Sequence, residues 1–283
     1  MGVVYSPDGS LLYDPTGDSG AIDIYDSHTW RHVGRIPLDG KLGGRMYKES
    51  FAAVVLLSPD GKTLYALDQG NWRVVAIDVA TKKLISNIPT GSNPLAIALS
   101  PDGTRLYITN SGLFEYQLIK GFKASDPLHT AIHFPPFGYP SKAARKGTTV
   151  EDHDVPGLGD ENNPRGSSLW TYDVSSPGAP RQIAELRLGS RIREGLGKVV
   201  GGASPSGVVA GQEHVYVSLA HDDSVDAVST DGSKLEKEIP LTPFTGAPIK
   251  TSENVPCVGS CRLGSGLLTK GSTLRRPDRT PWQ

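Results

Sequence analysis

The sequence predicts an all-β chain, a β-propeller of four-stranded blades, with about four blades present and so incomplete relative to a seven-bladed ring. Three observations predict it. "LSPDGTRLYITNS", beginning at residue 99, follows "LSPDGKTLYALDQ" by 42 residues. Tyr13 to Asp26, Tyr65 to Asp78 and Tyr216 to Ser229 each span 13 residues, and 11 more lead to Pro37, Pro89 and Pro240. "VVAID" and "LYIT" alternate between side-chain types as short antiparallel strands do. Evenly spaced short strands with turn signals at a fixed period point to a propeller rather than a sandwich.

Within a unit the first strand ends at "SPDG", at Ser6, Ser58 and Ser100. Pro presets φ for the first central turn position, Asp bonds its own backbone, and Gly accepts positive φ. These are hairpin turns, and their Ser and Asp residues are read as turn chemistry. The second strand ("KTLYALD") and third ("RVVAIDV") follow, and the fourth closes on an Ile-Pro pair, where a missing N–H is tolerated on an outer strand.

The irregular lengths fall in two kinds of connection. Tyr107 to Asp173 spans 66 residues where the template has 13, so a long insertion, 113–167, lies between the second and third strands of blade three. Gly40 to Ser50 and Gly189 to Pro205 enlarge fourth-to-first-strand connections. In an up-and-down blade both kinds lie on the same side of the disc, opposite the "SPDG" turns. One face is therefore expected to be elaborated, and loops on a rigid scaffold are where binding usually resides.

Candidate ligand-binding residues on that face are Asp68, Gln69, Asn71, Asn110, His221, Asp222 and Asp223, whose types also suit turns. Within the insertion, Phe134, Phe137 and Tyr139 belong to "FPPFGYP", an extended, stiff segment able to cap a cavity, dock a partner or lie on the propeller itself. The densest acid cluster holds Glu151, Asp152 and Asp154. It follows neither the EF-hand spacing nor a nonapeptide repeat, so these three are weak metal candidates and a solvated loop is the expectation. His129 and His133 stand four apart, but the following Phe-Pro-Pro argues against a zinc-binding helix. Cys257 and Cys261 have neither a second pair nor a nearby His. No metal and no cofactor is predicted, and no nucleophile elbow or phosphate loop is present.

Net charge is −1, divided into +4 over residues 250–283 and −5 before them. A mildly acidic body offers no general field for nucleic acid. No run of about 18 apolar residues marks a membrane span, and "MGVVYSPDG" carries no signal-peptide pattern. Residues 1–248 are read as blades. Residues 249–283 form a basic tail without the repeat, expected to be disordered or frame-altered. Two explanations are weighed: further blades lost by truncation or a frame change, which is preferred, or a genuine tail on a ring closed by another chain.

"LYITN" after "SPDG" resembles the YVTN-type repeat of YncE-like and lactonase-like propellers. From Val3 to about Pro248 the chain resembles the N-terminal propeller of bacterial YncE-like proteins that continue into an alkaline-phosphatase-superfamily phosphoesterase. "NSGLFEY", "FPPFGYPSKAARKG", "VPGLGDEN" and "SLWTYDVSSPGAP" carry that likeness more specifically than "SPDG" does. The resemblance implies a periplasmic or secreted bacterial protein whose phosphoesterase ligands lie in a later domain, so no catalytic residue carries over.

The expected function is a non-catalytic binding module, a fragment of a larger protein, presenting its loop-rich face to a protein, polysaccharide or small ligand. Two alternatives are a metal-dependent lactonase-like hydrolase and a binder of single-stranded DNA, the latter disfavoured by the acidic body.

Overall fold

The computed structural model describes residues 2–112, 120–121, 123, 126–130, 141–159, 166–190 and 202–241. Blade one consists of β1 (Val4–Tyr5), β2 (Leu11–Pro15), β3 (Ala21–Asp26) and β4 (His32–Pro37). A hairpin, β5 (Gly40–Leu42) and β6 (Arg45–Tyr47), precedes blade two, which comprises β7 (Ala52–Leu57), β8 (Thr63–Asp68), β9 (Arg73–Asp78) and β10 (Lys83–Pro89). Blade three begins with β11 (Pro94–Leu99) and β12 (Arg105–Asn110). Its insertion contributes α1 (Pro127–Thr130), α2 (Lys142–Lys146), β13 (Gly147–Val150) and β14 (His153–Pro156), and β15 (Ser168–Asp173) and β16 (Arg181–Arg187) complete the blade. Blade four is β17 (Pro205–Ala210), β18 (His214–Leu219), β19 (Ser224–Ser229) and β20 (Leu235–Pro240).

Each blade is an antiparallel four-stranded sheet in sequence order. Thus the expected propeller architecture is the observed one. Each sheet also slips register by one residue between its third and fourth strands, at Ile24/Tyr25, Leu84/Ser86, Thr171/Tyr172 and Ala227/Val228. A bulge there increases twist, which lets successive blades splay around an axis.

The "SPDG" turns are built alike. Ser6, Ser58 and Ser100 donate their hydroxyls to Asp8, Asp60 and Asp102 at 2.5–2.6 Å. The same three hydroxyl oxygens accept the N–H groups of Leu11, Thr63 and Arg105 at 2.9 Å. Blade four uses the same device in its third-to-fourth-strand turn, where Ser229 donates to Asp231 at 2.6 Å. These hydroxyls hold the carboxylates below their ordinary range, to about 2 for Asp8, Asp102 and Asp231.

Three apolar clusters join the blades in series. Tyr13, Ile22, Ile24 and Ile36 of blade one meet Leu64, Ala66, Val75 and Ile77 of blade two. Tyr65, Leu67, Val74 and Ile88 then meet Ile97, Leu106, Ile108, Trp170 and Tyr172 of blade three. Tyr107 and Leu169 meet Val215, Val217 and Val228 of blade four. Among the described residues no such cluster joins blade four to blade one. The first strands β7, β11 and β17 lie side by side at the inner edge of this arc.

The insertion leaves and re-enters blade three at one place. The N–H of Ser167 donates to the Gly112 carbonyl at 3.3 Å, and β12 pairs with β15 from Arg105–Asp173 to Asn110–Ser168. The four strands of the blade therefore pair without a strand from the segment between them. The tail, 249–283, lies outside the described residues.

Candidate functional site: the loop-rich face

Backbone hydrogen bonds show which loops share a face. Gln69, between the second and third strands of blade two, donates its N–H to the Phe51 carbonyl ahead of β7 at 2.9 Å. Ser111 does the same to Asn93 at 3.1 Å, and Ala220 to Ser204 at 3.1 Å. Second-to-third-strand loops and fourth-to-first-strand connections are knitted together on one side, opposite the "SPDG" turns.

Asp68 is fully buried. Its carboxylate accepts the N–H of Phe51 at 2.9 Å, the Asn71 side-chain amide at 3.0 Å and Nε of Arg73 at 2.7 Å. Arg73, itself 2 % exposed, reaches the Leu38 carbonyl and Oδ1 of Asn87, both at 2.7 Å, and its guanidinium lies 3.6 Å from the Tyr47 ring centroid. Asn71 also donates to the Lys48 carbonyl at 3.1 Å. Asp68 and Asn71 thus fasten the β5–β6 hairpin and its return to blade two. Their geometry is that of a buried ion pair with its remaining hydrogen bonds supplied.

Asn110 is likewise buried, with its amide nitrogen 3.4 Å from the Ile108 carbonyl and from Oγ of Ser168. Asp222 accepts the N–H of Ser190 at 2.6 Å. Asp223 adopts positive φ, at 49°, and its carbonyl accepts the N–H of Leu241 at 2.7 Å. His221 is exposed, with Nδ1 3.0 Å from the Gly202 carbonyl. A carbonyl only accepts, so that contact puts the proton on Nδ1 and leaves Nε2 as the acceptor of the neutral ring.

Gln69 differs from these. Its Nε2 lies 3.3 Å from Oδ1 of Asn93 and 3.1 Å from the Pro94 carbonyl, and Asn93 in turn donates Nδ2 to Oγ of Ser111 at 2.8 Å. This chain of uncharged amide and hydroxyl groups runs from blade two to blade three along the accessible rim. Sequence reasoning picks out Gln69 but misses Asn93 and Ser111. The available signal is Asn93-Pro94: Asn93 takes φ 49°, a conformation Asn tolerates better than most residues, immediately before a strand.

Phe134, Phe137 and Tyr139 lie outside the described residues. Glu151 and Asp152 form the two-residue turn between β13 and β14, both at positive φ, 49° and 61°. Asp154 is exposed, 3.4 Å from the Thr149 hydroxyl. Among the described residues no three His, Cys, Asp or Glu side chains converge as metal ligands would, and no helix is long and apolar enough to cross a membrane.

A hollow of about 390 Å³ lies at the inner edge of the arc, towards the "SPDG" side. Leu56, Pro59, Ile97, Leu99, Pro101 and Val209 line it. The sequence-based expectation concerns the other side and does not anticipate it.

No family model and no curated protein matches the chain. Among solved structures, the hydrazine synthase of Kuenenia stuttgartiensis is similar over 84 % of this chain and 62 % of its own, with 19 % identity and a TM-score of 0.51. U3-55K is similar over 84 % of this chain and 50 % of its own, with 12 % identity and a TM-score of 0.51. The RRP9 WD40 repeats are similar over 82 % and 48 %, with 12 % identity and a TM-score of 0.49. This chain therefore spans less than two thirds of the length of each of these proteins. At these identities the likeness is one of fold. The chain is a β-propeller protein.

Proposed function

We propose that this propeller is a non-catalytic binding module that engages a neutral ligand, a polysaccharide above all, through its loop-rich face. The observation that carries the reading is the division of labour there. Asp68, Asn71 and Asn110 are engaged inside the scaffold, whereas the rim offers the Gln69–Asn93–Ser111 row of amides and a hydroxyl. Such groups both donate and accept hydrogen bonds without a net charge, which matches sugar hydroxyls and peptide groups. The YVTN-type repeat and the four inserted segments support placing the chain among YncE-like propellers of larger exported bacterial proteins.

Isothermal titration with neutral tetrasaccharides, acidic tetrasaccharides and oligothymidine tests this. Neutral sugars should bind, and the triple variant Gln69→Ala/Asn93→Ala/Ser111→Ala should weaken them at least tenfold. Each lost hydrogen bond to a neutral partner contributes about 1 kcal/mol. Hydrolysis of a lactone that needs added divalent metal would favour the enzymatic reading instead. Tight, salt-sensitive oligothymidine binding would favour the nucleic-acid one.

A further inference from the structure

One position of the repeat carries a side chain that the repeat does not require. The residue ahead of each third strand, Gly20, Trp72, Ser167 or Asp223, adopts positive φ, at 60°, 49°, 46° and 49°. In each case its carbonyl accepts the N–H of the residue that follows the fourth strand, Leu38, Thr90, Leu188 or Leu241, at 2.7–3.1 Å. A glycine, a serine and an aspartate fill that backbone role equally. A bulky residue is uncommon at positive φ, so the turn gives no reason for an indole in blade two.

Nor does the core take it up. Trp72 is half-buried and belongs to none of the three apolar clusters among the described residues. It stands instead at the end of the 69–72 loop, whose first residue, Gln69, begins the amide row. Both ends of that loop are tied to the connection ahead of β11. The Thr90 N–H donates to the Trp72 carbonyl at 3.1 Å, and Nε2 of Gln69 lies 3.3 Å from Oδ1 of Asn93. Gly91 of that connection is pressed against Asn110, where an added Cβ would come within 2.7 Å of the side-chain amide carbon. The backbones that carry the indole and the amide row are therefore fixed to one another.

Resting on the carbohydrate reading of this face, we infer that Trp72 is the stacking platform of the site and that its occupant is a glycan of all-equatorial hexopyranose units, such as a β-1,4-glucan. The hydroxyls of such a ring lie around its equator, and its two flat faces carry only axial C–H groups. The negative face of an indole attracts those weakly positive hydrogens. Amides and a hydroxyl beside it serve the equatorial rim. A ligand that uses the row alone gains nothing from the indole.

Isothermal titration of cellotetraose and of end-blocked tetraglycine into the wild type, Trp72→Gly and Trp72→Phe tests this. Cellotetraose should bind the wild type about tenfold or more tighter than tetraglycine does. Trp72→Gly should weaken cellotetraose by about tenfold or more. Its melting temperature should stay unchanged or rise, since glycine suits the left-handed turn as Gly20 does in blade one. Trp72→Phe should keep most of the affinity, while the change in tryptophan emission on binding should vanish. Unchanged cellotetraose affinity in Trp72→Gly, with a loss in Gln69→Ala/Asn93→Ala/Ser111→Ala, overturns the inference and leaves the carbohydrate reading standing. A melting temperature lowered by several degrees in Trp72→Gly makes the indole structural and overturns the inference alone. So does a wild type that binds other neutral tetrasaccharides but not cellotetraose, whereas one that binds none overturns both.

Discussion

Replacing Arg73 with Ala destabilises the propeller by about 3–5 kcal/mol, the range for removing one partner of a buried ion pair. Asp68 is then left fully buried with its charge uncompensated, held by the N–H groups of Phe51 and Asn71 and by the Asn71 side-chain amide. The same change frees the Leu38 carbonyl and Asn87, and removes the nearer of the two guanidinium groups, Arg73 and Arg45, that lie over the Tyr47 ring. Arg73→Lys recovers little, because one ammonium cannot serve Asp68, Asn87 and Leu38 in the planar arrangement of a guanidinium. In urea denaturation the double variant Asp68→Asn/Arg73→Met should lose much less than the two single changes combined. Additive losses would mean that the pair does not act as a unit.

Asp226 gives the second large effect. It lies between blades three and four, 1 % exposed, with no hydrogen-bond partner for either carboxylate oxygen among the described residues. Burial first, then the charges of Glu238 and Asp222, push its pKa up to about 6. The folded state therefore holds a proton that the unfolded chain, titrating near 3.8, releases. Stability conferred by that proton is complete below pH 4 and declines as pH rises to 6, by roughly 3 kcal/mol over the interval. Asp226→Val should abolish this decline and raise stability at pH 7, since Val75 fills the equivalent position in blade two. The turn carboxylates act oppositely. Asp8, Asp102 and Asp231, lowered to about 2, stabilise above pH 4 and lose that contribution as pH falls to 2. Thermal unfolding from pH 2 to 8 should thus peak near pH 4 in the wild type and plateau above it in Asp226→Val. A wild-type profile flat from pH 4 to 7 would show that Asp226 ionises freely in the fold.

The blades were legible in the sequence because their determinants are local. A Ser-Pro-Asp-Gly turn closes through bonds within five residues, and a strand of alternating faces needs only its own pattern. Pro37, Pro89 and Pro240 end the outer strands as their spacing requires. What the sequence hides is long-range. Arg73 finds Leu38 across 35 residues, and Ser86 donates to Pro177 across 91. For the same reason Asp68, Asn71 and Asn110 could be proposed for the loop-rich face by residue type, while only the fold reveals that Asp68 and Asn110 are buried within it and that Asn71 is hydrogen-bonded to Asp68. Asp226 sits in an otherwise apolar alternation, where no pattern distinguishes a solvated acid from a buried one.

Hydrogen exchange read by mass spectrometry, with and without a saturating neutral tetrasaccharide, addresses the proposed working surface most directly. Protection confined to residues 69–72, 90–93 and 110–112 is the predicted result. Protection instead at residues 58–61 and 100–103, around the apolar hollow of the opposite side, would contradict binding at the loop-rich face.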